Sequence, residues 1–136
     1  MKHLIALFFL SSLISCQKKV VNDDSEQDQD VTISVNLTSP FENSTFQISE
    51  VVSITGTISS NETIHGYTVE LFNASNNDSL LFSSNVHSHD ATLNFTYSWT
   101  HNLSVTSDVV VRVTALGDHQ GLKSEVLNRS IQCLGI

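Results

Sequence analysis

The chain has 136 residues, 6 Lys plus Arg against 14 Asp plus Glu, and a formal net charge of −8. That length allows one domain around one core and excludes a second, and the negative balance repels nucleic acid and anionic lipid surfaces by Coulomb repulsion. Cys16 and Cys133 are the only cysteines, which excludes a disulfide framework.

Met1-Lys2-His3 supplies a positive start, and Leu4 through Leu10 an apolar run. The run is too short for the about 20 residues that cross roughly 30 Å of hydrocarbon. Closing it, Leu13-Ile14-Ser15-Cys16 resembles the lipobox of bacterial lipoprotein signals. The resemblance implies a diacylglyceryl thioether on Cys16, removal of residues 1–15 as a signal peptide, and attachment to the membrane through that lipid. Loss of Lys2 would take the formal charge to −9. From Gln17 to Asp30 the sequence is polar and acidic with almost nothing to bury. Residues 16–30 are therefore expected to be a lipidated flexible tether, reaching roughly 20 Å from the anchor on average. Its acidic run also resembles the export signal of Bacteroidetes-type lipoproteins, although Lys18-Lys19 come first and leave periplasmic retention open.

After Asp30 the sequence turns to Val, Ile, Thr, Ser and Asn, and alternates with period two rather than with a helical period. Val31-Ile33-Val35-Leu37 alternates with polar residues up to Ser39-Pro40. Val52-Ile54-Gly56-Ile58 forms a second such face, ending at Ser59-Ser60-Asn61, and Tyr67-Val69-Leu71 a third. Asn73 to Asp78 is dense in turn formers, and Leu80-Leu81-Phe82 reads as a short strand. Leu93-Phe95-Tyr97-Trp99 is the most aromatic face, which predicts Phe95 and Trp99 in the core. Val109-Val111-Val113-Ala115 follows, then the loop Gly117 to Gly121. Leu122 to Cys133 reads as an edge strand carrying Leu127 and Ile131 beside Arg129. Seven strands predict an all-β fold, a seven-stranded antiparallel Ig-like β-sandwich over residues 31–136.

Asp108 through Gly121 resembles the F strand and F–G turn of immunoglobulin-like and fibronectin type III-like domains. His87-Ser-His89, Trp99 and Asp118-His119 together resemble small Ig-like lipoproteins of Bacteroidetes, a group largely of unknown function. The immunoglobulin disulfide is missing, so adhesive roles are implied only by shape.

No nucleophile elbow, His-Glu-x-x-His motif or phosphate loop is present, and the carboxylates concentrate in the tether, so no enzymatic activity is expected. Histidines are the exception. His87 and His89 in extended chain share a face, about 7 Å apart at the backbone. A hairpin through Asn73–Asp78 and an antiparallel return predict His65, His87, His89 and His119 at one end of the sandwich and His101 at the other. Asp90 and Asp118 stand nearby as oxygen ligands or acceptors. Such a rim suits zinc or copper(II), the only cofactor implied. The competing reading has each histidine packing in or capping a turn.

Eight Asn-x-Ser/Thr sequons read as chance in an Asn/Ser/Thr-rich sequence beside a lipobox; Asn94 is expected to face outward. Asp78-Ser79-Leu80 resembles a bacterial O-glycosylation motif, and Cys133 reads as a small buried hydrophobe or a harmless terminal thiol. The leading functional expectation is a lipid-anchored binding or structural module without catalytic activity. It belongs in the cell envelope, on an outer membrane, periplasmic or surface-exposed, with a protein or glycan partner that no motif names. The alternative is a divalent-metal binding protein using the histidine rim.

Overall fold

Residues 30–136 are described by the computed structural model; the signal 1–15, Cys16 and the tether as far as Gln29 lie outside the described residues. Alternation of apolar and polar residues builds eight strands: β1 (Ile33–Ser39), β2 (Thr45–Phe46), β3 (Val51–Ser60), β4 (Gly66–Asn73), β5 (Ser79–His87), β6 (Thr92–Thr100), β7 (Ser107–Leu116) and β8 (Ser124–Cys133). They form a three-stranded sheet, β1-β3-β6, and a five-stranded sheet, β2-β8-β7-β4-β5. Every pairing is antiparallel except the short parallel contact of β2 with β8. With the first strand divided between the sheets as β1 and β2, this is the order of an Ig-like β-sandwich.

The core lies between the sheets. One supplies Leu37, Val52, Ile54, Ile58 and Phe95, the other Tyr67, Val69, Leu71, Val109, Val111, Val113, Ala115 and Ile131. Phe95 is buried and Trp99 half-buried, as their alternation predicts, and Asn94 faces outward. The Phe95 ring lies over Gly56, its partner across the β3–β6 ladder. A Cβ at Gly56 would overlap the Asn36 carbonyl and stand 2.5 Å from that ring. Between the sheets the hydroxyls of Tyr67 and Tyr97 meet at 3.1 Å. Cys133 is fully buried, and burial pushes its thiol up to about 11.

Three features differ from the sequence reading. The strand Thr45–Phe46 is a two-residue bridge onto Gln132–Cys133, too short for any alternation to announce it. β5 extends from Ser79 to His87 instead of ending at Phe82, because its polar half is carried by the backbone ladder to β4 rather than by apolar burial. β8 begins at Ser124; it is an edge except where β2 covers its last two residues. The half-buried Arg129 on β8 reaches the other sheet's connection, donating to the carbonyls of Pro40 (2.9 Å) and Leu37 (3.3 Å) and pairing with Glu42. Apart from the exposed Val51 at the start of β3, the outer face of the three-stranded sheet carries Ser, Thr and Asn, from Ser34 to Thr38, Ser53 to Ser59 and Thr92 to Thr100.

Candidate functional site

Gly66 is the pivot of the histidine end. It opens β4 and pairs with His87 on one side and Leu116 on the other, so the chain just before it is flanked by the ends of β5 and β7. Its φ of 148° lies where side chains are disfavoured, and a Cβ there would run into the Val86 carbonyl. Glycine therefore lets β5 close on the strand immediately beside His65. The His65 amide donates to the Leu116 carbonyl at 2.7 Å, and Ile64 donates to Asp90 at 3.0 Å, which draws in the β5–β6 connection.

Four imidazoles meet there from three connections. His65 precedes β4, His87 ends β5, His89 follows it, and His119 lies in the β7–β8 loop. Ring centroids are 4.2 Å apart for His65 and His119, 4.6 Å for His87 and His89, and 5.1 Å for His65 and His89. His119 stands 5.9 Å from His87 and 6.2 Å from His89. The Nε2 atoms of His87 and His89 are 3.0 Å apart, so one ring donates and the other accepts. His65 Nδ1 is buried without a hydrogen-bond partner among the described residues. Burial, and then charge on His119, His89 and His87, hold the His65 pKa below its ordinary value; Asp118 opposes them. The ring is therefore biased to the neutral form, with a free nitrogen lone pair.

The two carboxylates expected as oxygen ligands have other work. Asp118 accepts from the N–H groups of Gln120 (2.8 Å) and Leu122 (3.1 Å) with one oxygen and from Lys123 (2.7 Å) with the other. Burial acts to raise its pKa, but the backbone donors, Lys123 first, outweigh it and hold the carboxyl below its usual value. Asp118 thus folds the loop that presents His119. Asp90 accepts the Ser88 hydroxyl at 2.9 Å. His101 sits at the opposite end, fully buried. Its Nδ1 accepts from the Leu103 N–H at 3.2 Å and its Nε2–H donates to the Leu134 carbonyl at 2.9 Å, a structural histidine with both nitrogens used.

The structure thus brings together His65, His87, His89 and His119 and separates His101, while Cys16 lies outside the described residues. Among the described residues, no three His, Cys, Asp or Glu side chains are set, as they stand, to hold a metal ion. The rings meet at mixed angles, from 20° for His87 with His119 to 89° for His87 with His89. Sequence reasoning did not single out Gly66 or the loop-closing role of Asp118. A glycine directly after His65 and an Asp directly before His119 were the available signals.

No family model matches the chain, and no curated protein matches it. Among solved structures it is similar to the fibronectin(III)-like modules of Clostridium thermocellum CbhA, with a TM-score of 0.49 at 19% identity, covering 76% of this chain and 98% of that one. It is also similar to a CARDB domain from Pyrococcus furiosus, solved in complex with di-metal ions, with a TM-score of 0.48 at 10% identity over 79% and 94% of the two chains.

Proposed function

We propose that the protein is a lipid-anchored, non-catalytic binding module of the cell envelope, with the histidine end of its β-sandwich as the binding end. The observation that carries this reading is where the chain comes into the fold. Asn61 donates to the Asp30 carbonyl at 3.0 Å and accepts from the Thr32 N–H at 2.8 Å, and Ile33 pairs with Ser60. Asn61 lies in the connection between β3 and β4, the one that also carries His65, so the chain enters at the histidine end. A lipid on Cys16 would therefore join the domain, through the tether, at its histidine end. The domain's other pole carries Ser107, Cys133 and the buried His101.

Detergent phase partitioning of the whole protein tests the anchor. The wild-type chain should follow the detergent phase, and Cys16→Ala should move to the aqueous phase or remain an uncleaved precursor of higher mass. Equal partitioning of the two, with equal mass, would overturn the lipid anchor.

A further inference from the structure

Histidines that serve a fold use their nitrogens, as His101 does with the Leu103 N–H and the Leu134 carbonyl. The four at the opposite end do not. Among the described residues, the ring nitrogens of His87 and His89 have only each other as hydrogen-bond partners, no hydrogen bond ties the His119 ring, and His65 Nδ1 is buried and unpartnered. Packing does not explain them either, because His87, His89 and His119 are exposed. Four weakly tied imidazoles drawn from three connections need a common purpose, and shared ligation supplies one.

We propose that His65, His87, His89 and His119 are the four ligands of a single divalent transition-metal ion, zinc above all, in tetrahedral coordination. This rests on the reading of the histidine end as the binding end. At a zinc–nitrogen distance of about 2.0–2.1 Å, tetrahedral imidazoles have ligand nitrogens about 3.3 Å apart and ring centroids about 5 Å apart. For the five ring pairs in contact, all but His65 with His87, the centroid separations run from 4.2 to 6.2 Å and bracket that figure. The His87 and His89 Nε2 atoms, at 3.0 Å, are already near a ligand–ligand distance. What separates the present arrangement from a coordination sphere is ring orientation. Exposed histidines change it by rotation about χ1 and χ2, with no movement of the strands. His65 is held most firmly, its amide bonded to Leu116, and offers Nδ1 as the fixed ligand around which the others turn.

The chemistry of the set fits a borderline ion. Four neutral nitrogens and no thiolate favour zinc or copper(II) over calcium or magnesium, which take oxygen ligands. Cys133, whose thiol is buried, pairs with Ser107 across the β7–β8 ladder at the far pole and takes no part. Four protein ligands leave no open position, the pattern of a closed zinc site rather than a hydrolytic one.

Zinc alone is the probe, with the whole protein in detergent after treatment with a chelator. Equilibrium dialysis and metal analysis should give one zinc per chain at low-micromolar affinity or tighter, and cobalt(II) in its place should give the intense visible bands of tetrahedral coordination. His87→Ala, His89→Ala and His119→Ala, all at exposed positions, should each weaken zinc binding at least tenfold with circular dichroism unchanged. Asn85→Ala, at the same end but outside the set, should not. Binding far below one equivalent, or undiminished binding in any of the three variants, overturns the four-ligand assignment. A cobalt spectrum of octahedral type overturns the tetrahedral geometry. The anchor is read separately by partitioning, so a protein that anchors without binding zinc loses this proposal and keeps the module, and one that binds zinc without partitioning does the reverse.

Discussion

Phe95 and Gly56 form one packing unit: the ring occupies the space that a side chain on β3 would fill, so each residue type is required by the other. Truncating the ring removes its burial and leaves a cavity against a backbone that cannot collapse into it. Phe95→Ala should therefore destabilise the domain by about 3–5 kcal/mol, read as a lower midpoint in urea unfolding with an unchanged slope. Phe95 was legible in the sequence because it alternates with Asn94 and Thr96. Gly56 was legible only as a member of an apolar face, since the ring above it comes from a strand 39 positions away. The same holds for His101, whose burial depends on the Leu134 carbonyl. At Cys133 the thiol is pushed up from 9.0 to about 11 by burial. Between those values the unfolded chain has lost the proton that the folded chain keeps, so this group's contribution to stability is full below pH 9 and is lost as pH rises toward 11. Unfolding midpoints measured from pH 8 to 10.5 should fall less steeply in Cys133→Ala than in the parent.

Among the elements, the join between the sheets turns on Arg129. From β8 its guanidinium binds the carbonyl of Leu37 in β1 and that of Pro40 in the β1–β2 connection, where the first strand passes from one sheet to the other. Hydrogen bonds to a charged group are worth more than neutral ones, and their loss leaves carbonyls with fewer partners. Arg129→Ala should cost about 2 kcal/mol, with faster amide exchange at Asn43 and Gln132, whose bonds hold the β2 region. The ion pair with Glu42 is half-exposed and adds little. Arg129 read from sequence as a charge tolerated on an edge strand. Its partners lie about ninety positions earlier, beyond any local pattern. β5 shows the opposite limit: its apolar half was visible in Leu80 to Phe82, while the run from Ser83 to His87 is a strand only because β4 lies beside it. Alternation announces burial, and an edge strand has little.

On the scale of the whole molecule, the hairpin of β4 with β5 and the return through β6 and β7 decide where everything else sits. Both followed from turn residues and antiparallel succession, which is why the histidines could be sorted between the two poles before any coordinate was known. The angles between their rings could not, because they depend on loop closure by Asp118 and on the close approach that Gly66 permits. The rim also brings together chain segments that are distant in sequence: His65 is 22 positions from His87 and 54 from His119. No such meeting exists in the unfolded chain, so a ligand that holds these rings at once recognises the native state alone. It behaves as a removable crosslink in a domain that has no disulfide, closing two large loops when present and releasing them when withdrawn. At a hundredfold excess over its dissociation constant, such a ligand shifts the folding equilibrium by about 2.7 kcal/mol, and the shift is reversed by any stronger chelator.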